Sequence, residues 1–497
     1  MSAFRSKNKN IAMGFLKDSS KVFVGISVQR VMSLVMIPVI ARLFGPADYG
    51  IFNVSAAACA LISIIGGLSL ETSIAVSSTK EIAAERTIGT ALVGVTSGLI
   101  YGGIAYLVLP YLTKYYPAEI LNALLVMIPI VVPLSVISLS LRNFLGFAGK
   151  FQFFAIADIV SPIVNYIGLI LSYLFLWQDY HSLIVAAIAS YLVRIGIFLY
   201  AAVGDQLVTR SRLSLKSFKL LNLIRHFSLF NLPSNFLNNA NTQLPPIILS
   251  FVFSENIVGI YVMARKIIMI PTTISSNALG QVFYPKAAKE YRQTGRLDKI
   301  TWQTFLFSSQ LTLYPAVLTA AIAGSILPLL LGSRWNGIAV YIILLLPVTL
   351  VNAVETQIGF GFIFNILNQQ YKILVGNILL FACRIIPLMA CVLLNCSEHL
   401  TILLFSLGGA TGYAILLVWI FTVVSIPIAR AFGTWAKYCL IAFFCIFPIL
   451  GATQSENLSI IISSLVLSTL LYTIIGWFKF LTDEQRSLIV SKIPRYK

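Results

Sequence analysis

Fourteen stretches of this chain are apolar for close to the ~20 residues that a helix needs to cross a bilayer, and that pattern leaves few folds open. Their approximate limits are 22–44, 49–72, 87–109, 121–141, 155–177, 182–203, 226–251, 257–280, 302–330, 337–361, 373–394, 400–425, 438–453 and 457–478. The thirteenth is the shortest. Turn and breaker signals such as Gly45-Pro46 separate several of them. With 58% hydrophobic and 10% charged residues, the chain reads as an all-α integral membrane protein of about 14 transmembrane helices.

The net charge of +18 raises nucleic acid as a partner, but its placement argues against one. With the N-terminus taken as cytoplasmic, 27 of the 35 Lys and Arg residues fall in cytoplasmic tails and loops. Only Arg42, Lys114 and Arg334 fall on the opposite side, and Arg30, Arg194, Arg265, Lys266 and Arg384 lie within spans. This asymmetry satisfies the positive-inside rule with both termini cytoplasmic. The charge is then a topology signal with affinity for anionic membrane lipids. The first 21 residues are polar and basic and the next span is too long for a signal-peptide core, so we expect an uncleaved first helix. The six cysteines form no CxxC pair and read as small buried hydrophobes, with metal or redox roles as the alternative.

Gly50-Ile51-Phe52 and Gly259-Ile260-Tyr261 are separated by 209 residues, and the same offset sets Lys80-Glu81 on Lys289-Glu290. Helices 1–6 and 7–12 thus form two halves that both begin in the cytoplasm, a parallel repeat about an axis along the membrane normal. The expected organisation is 1–210 as an N-terminal six-helix bundle and 211–430 as a C-terminal one. Residues 431–497 add helices 13 and 14 and a basic cytoplasmic tail. Helices 1, 2, 7 and 8 are equivalent pairs around the expected cleft.

Polar residues concentrate in helices 7 and 8. At about 100° per residue, Asn231, Ser234, Asn235, Asn238 and Thr242 share one face of helix 7, opposite Phe236, Leu237, Ala240 and Leu244. In helix 8, Arg265, Met269, Thr272, Thr273, Ser276 and Gly280 share a face with Lys266 at its edge. Unpaired polar groups in hydrocarbon cost several kcal/mol, so the stripes either line a polar cavity or hydrogen-bond neighbouring helices. Arg30 sits roughly 12–13 Å into helix 1 at 1.5 Å per residue, with Gln29 and Ser33 on its face. Arg265 is similarly deep, beyond easy snorkelling, and each needs a counter-charge or a water-filled cavity. Glu71, Asp158 and Glu355 are the intramembrane acids, near cytoplasmic ends. Five cations against three acids favour an anionic passenger. Arg194 and Arg384 lie outside the four-helix set and read as structural. Pro245-Pro246 and Pro271 should kink their helices, as hinges or as packing kinks.

No GxxxxGK[ST] and no D-x-D occur, and the three histidines form no cluster. Nothing reads as a catalytic site, and no cofactor is expected.

The stretches GISVQRVMSLVMIPVIARLFGPADYGIF, NIVGIYVMARKIIMIPTTISSNALGQVFYPKAAKE and LLLGSRWNGIAVYIILLLPVTLVNAVE resemble the Wzx-type polysaccharide biosynthesis flippases. These belong to the multidrug/oligosaccharidyl-lipid/polysaccharide exporter superfamily, whose drug-exporting branch is MATE-like. The likeness spans most of the chain. It implies two six-helix bundles around a cavity that opens alternately to either side of the bacterial cytoplasmic (inner) membrane. The implied passenger is an oligosaccharide repeat unit on undecaprenyl diphosphate, destined for O-antigen, capsule or exopolysaccharide. By the same resemblance Arg30 and Arg265, with Lys266, face the diphosphate, and Gln29 lies beside Arg30. Asn231, Asn235, Asn238 and Thr242 meet sugar hydroxyls, and a polysaccharide polymerase and a chain-length regulator are the implied protein partners. Pro245-Pro246 departs from relatives that carry acidic or polar residues late in helix 7, so no cation-coupling site is carried over there. Movement down the membrane potential, or ion antiport through Glu71, Asp158 or Glu355, are both open as driving forces. The rival readings are a lipid II flippase and a drug/cation antiporter, the latter expected to have twelve spans and a more acidic cavity. A membrane polymerase or ligase would need a substantial outer loop.

Overall fold

The computed structural model describes residues 25–113, 116–203, 228–453 and 457–479. Both basic tails and the basic stretch from 204 to 227, including the expected boundary at residue 210, lie outside the described residues.

Among the described residues every regular element is a helix. The first part of the chain forms α1 (Gly25–Leu43), α2 (Pro46–Gly67), α3 (Thr72–Ala75), α4 (Lys80–Val108), α5 (Ala118–Phe147), α6 (Gln152–Phe175), α7 (Tyr180–Val203) and α8 (Leu229–Leu249). Then follow α9 (Glu255–Ile268), α10 (Ile270–Thr294), α11 (Asp298–Leu331), α12 (Ile338–Ile358), α13 (Phe360–Ile366), α14 (Gln370–Leu393) and α15 (Glu398–Val424). The last three are α16 (Ile428–Cys445), α17 (Phe447–Ala452) and α18 (Leu458–Lys479).

Twelve helical stretches of the described residues are long and apolar enough to cross a membrane. Helices 7 and 8 are not among them: the polar stripe of α8 lowers the hydropathy of helix 7, and helix 8 divides at Met269 into α9, of only 14 residues, and the polar α10. Large apolar side chains such as Tyr106, Leu107, Phe175 and Leu393 are strongly exposed. Such surface is stable only against lipid. This is a multi-pass membrane protein.

Local chemistry sets the helix limits. Pro46 opens α2, where its missing N–H costs no helical bond. The Thr79 hydroxyl accepts the Ile82 N–H at 3.3 Å to cap α4, and the Ser397 hydroxyl accepts the Leu400 N–H to cap α15. Helix α8 runs unbroken through Pro233, Pro245 and Pro246. The helix expected over 257–280 instead divides at Met269, and Pro271 sits in the first turn of α10, where proline is tolerated. The side chains of Ser276 and Gly280, expected on the polar face there, lie outside the described residues.

The chain forms two compact units, Met1–Val262 and Met263–Lys497. Helices α8 and the start of α9 therefore belong with the first unit. Each unit repeats one packing order. In the first, α4 lies against α5, α6 against α7 and α5 against α7. In the second, α11 lies against α12, α14 against α15 and α12 against α15. Helices α16 to α18 add to the second unit, where the Tyr314 hydroxyl of α11 meets Ser468 of α18 at 2.9 Å.

Candidate functional site

A cavity of about 460 Å³ opens inside the first unit, among α2, α5, α7 and α8. The size lies within the ~300–1,000 Å³ of small-ligand sites. Its polar lining comes from Ser63, Ser69, Glu71, Ser135, Tyr191, Asn235 and Asn239, and its apolar lining includes Phe52, Met127 and Val131. No Lys or Arg is among the described residues that line it.

The floor of this cavity is the break between α2 and α3. Leu68 and Ser69 both take the left-handed conformation, with φ of 52° and 51°, which side-chain-bearing residues adopt at a cost. Helix α8 holds the break in place. The Ser228 hydroxyl donates to the Leu68 carbonyl at 2.5 Å, the Asn235 amide donates to the Ser69 hydroxyl at 3.3 Å, and the Asn231 amide reaches the Thr72 hydroxyl at 3.4 Å. Ser63 of α2 and Ser135 of α5 face each other with hydroxyls 2.7 Å apart. Glu71 lies past the end of the Pro46–Gly67 span. Burial raises its carboxyl above the ordinary range, while a hydrogen bond from its own backbone amide acts in the opposite direction.

The stripe of α8 thus performs both tasks that the sequence left open. Asn231 and Asn235 bind the α2–α3 break, and Asn235 also lines the cavity. Asn238 is exposed, and the Thr242 hydroxyl turns back to the Asn239 carbonyl of its own helix at 2.9 Å. Of the residues read from helix 1, Arg30 is exposed and Gln29 is half-buried on α1.

Asp158 is 3% exposed and sits between two guanidinium groups, Arg142 at 3.6 Å and Arg194 at 3.8 Å. Arg142 also lies over the Phe154 ring, 4.9 Å from its centre. This triad joins α5, α6 and α7.

In the second unit, Arg265 and Lys266 end α9 half-buried. Arg265, Glu355 and Arg384 all act electrostatically on Tyr413, whose hydroxyl bonds the Asn352 side chain. Glu355 accepts the Phe360 N–H at 3.2 Å across the α12–α13 break, where Gly359 has φ 71°. Arg384 is 4% exposed and stacks on Phe405 at 4.7 Å.

The structure therefore brings Glu71 and Asn235 into one site, and adds Ser63, Ser69, Ser135, Tyr191 and Asn239 to it. Single hydroxyls in apolar helices carry no periodic signal. Asn239 stood one residue off the recognised stripe.

A family model described as "Polysaccharide biosynthesis protein" matches residues 39–340, more than half of the chain. The lipopolysaccharide biosynthesis protein WzxC of Escherichia coli (strain K12) is 25% identical over 146 residues, 27% of this chain and 30% of that protein. The chain thus spans about a third of the length of that relative. A solved structure of the lipid II flippase MurJ in an inward closed conformation superposes with a TM-score of 0.69 at 15% identity, covering 93% of this chain and 98% of that one. An inward-facing multidrug resistance MATE family transporter of the MOP superfamily superposes with a TM-score of 0.64 at 14% identity, covering 81% of this chain and 98% of that one. At these identities the structural likeness is one of fold.

Proposed function

This chain belongs to the polysaccharide biosynthesis protein family, and we propose that it is a flippase for oligosaccharide repeat units carried on undecaprenyl diphosphate. The observation that carries this reading is that the matched stretch, 39–340, includes every residue lining the polar cavity of the first unit. In this reading the protein moves the lipid-linked unit from the inner to the outer leaflet of the bacterial inner membrane and catalyses no bond change. A polymerase and a chain-length regulator act on what it delivers.

Arg30, Arg265 and Lys266 receive the diphosphate, because guanidinium donors form paired charge-assisted bonds with phosphate oxygens. An inside-negative potential drives outward movement of negative charge by about 2.3 kcal/mol per charge per 100 mV. If antiport contributes, Glu355 is the coupling group we propose. Asp158 is already committed to Arg142 and Arg194, and Glu71 lines the cavity.

The test is the fate of labelled lipid-diphosphate oligosaccharide in cells that lack the protein. Accumulation in the inner leaflet with loss of surface polymer, both reversed by restoring the gene, is the expected result. Normal arrival in the outer leaflet without polymerisation would favour a polymerase. A change in drug sensitivity alone would favour an antiporter.

A further inference from the structure

The cavity of the first unit has a chemistry distinct from that of the arginines on α1 and α9. Its polar lining offers amides at Asn235 and Asn239, each able to donate and accept, and hydroxyls at Ser63, Ser69 and Ser135. The charged group among its described lining residues is a carboxyl, Glu71. Phe52, Met127 and Val131 add apolar surface to the same space.

A diphosphate finds no cation among the described lining residues, and an acyl chain would set hydrocarbon against the Glu71 carboxyl. A metal ion is poorly served, because no group of three or more acidic, His or Cys side chains occurs among the described residues. A sugar ring fits the set. Its hydroxyls both donate and accept, its C–H face is apolar, and a carboxylate accepts from two adjacent hydroxyls at once.

We propose that this cavity is a subsite for an uncharged pyranose unit of the glycan, with Glu71 selecting against uronic acids. The inference rests on the lipid-linked glycan reading and deepens it. A sugar carboxylate placed here would face Glu71 with no compensating cation among the described lining residues, and like charges juxtaposed without water between them are strongly disfavoured. Recognition is then divided: arginines hold the anion common to every such lipid, and this cavity reads the glycan. Asn239 and the Ser63–Ser135 pair position the ring hydroxyls, and Ser69 is held in its left-handed conformation to present its hydroxyl to the same space. Glu71 is thereby assigned to recognition and not to ion coupling.

The full-length protein in nanodiscs tests this by equilibrium binding of three probes. These are a polyprenyl diphosphate bearing a neutral hexose trisaccharide, the same lipid with one hexose replaced by a hexuronic acid, and the lipid diphosphate without sugar. The neutral glycan should bind at least about tenfold more tightly than the acidic one. Glu71→Gln should bring the two to within about threefold, and Asn239→Leu should weaken the neutral glycan while leaving the sugar-free lipid unchanged. Should Glu71→Gln not fold, Asn239→Leu and Ser135→Val probe the same cavity from α8 and α5. Equal binding of neutral and acidic glycans, or variants that alter neither, would overturn the subsite and leave the flippase reading standing. Failure of all three probes to bind the wild-type protein would overturn both.

Discussion

Gly50 and Gly259, 209 residues apart in the sequence, meet in the structure through a reciprocal contact. A methyl group added to Gly50 would collide with the Glu255 carbonyl oxygen, and one added to Gly259 would collide with the Pro46 carbonyl oxygen. Pro46 and Glu255 are themselves 209 residues apart. The first turns of α2 and α9 therefore cross backbone to backbone, repeat against repeat, inside the first unit. Glycine is needed at both positions for that approach.

Gly50→Ala and Gly259→Ala should each destabilise the protein by about 1–3 kcal/mol, the usual range for overpacking. Gly103→Ala is the matched control, since a methyl there meets open space. Thermal unfolding in detergent measures all three. Equal midpoints for Gly50→Ala and Gly103→Ala would contradict a backbone-to-backbone crossing at Gly50.

Asp158→Asn leaves Arg142 and Arg194 without their shared carboxylate. Removing one partner of a buried pair costs about 3–5 kcal/mol, and the partly exposed arginines place this case near the lower end. Membrane protein levels should fall, and the double variant Asp158→Asn/Arg194→Gln should recover part of the loss. No recovery would mean that Asp158 does more than balance those two charges.

Arg30→Ala and Arg265→Ala should each lower export at least about tenfold, the loss expected when one charge-assisted phosphate contact of about 1.5–3 kcal/mol is removed, while insertion and protein level stay normal. Lysine at either position keeps the charge but loses the paired geometry, so partial export is expected. Full export by both alanine variants at normal protein levels would remove the arginines from the substrate path.

The fold was legible because apolar length and charge placement are set by the bilayer itself, and these survive low sequence identity. The repeat was legible through Gly50 and Gly259, although nothing in the offset said that the two residues touch. The site was harder to read. Helical periodicity located the α8 stripe, and Asn235 does line the cavity. Asn239 lies next to the stripe, and its place depends on how α8 turns against α2. Ser63 and Ser135 meet across two helices that periodicity treats separately. Glu71 was expected in the membrane; the left-handed pair Leu68–Ser69, which no local signal announces, ends α2 before it. The polar stripe of α8 and the break at Met269, which leaves α9 only 14 residues long, are why helices 7 and 8 are not among the twelve described helices long and apolar enough to cross a membrane.

The Glu71 carboxyl gives a pH signature. Burial raises its folded-state pKa above the ordinary 4.5, so the folded protein keeps a proton that the unfolded chain has released. Its contribution to stability is full below that ordinary value and is lost as pH rises through the raised folded value. Thermal midpoints should therefore decline over that window in the wild type and decline less in Glu71→Gln. Identical slopes would show that Glu71 is solvated as in the unfolded chain.

The most direct measurement uses the purified full-length protein in proteoliposomes. A fluorescent polyprenyl-diphosphate oligosaccharide is loaded in both leaflets, and its exposure to an impermeant glycosidase is followed over time. Flippase activity predicts that the protected half becomes accessible in vesicles holding the wild type. The process should slow in Arg30→Ala and Arg265→Ala, and a potential that favours anion exit should accelerate it. Protection that persists at the level of protein-free vesicles, with the wild type folded and correctly inserted, would contradict the assignment.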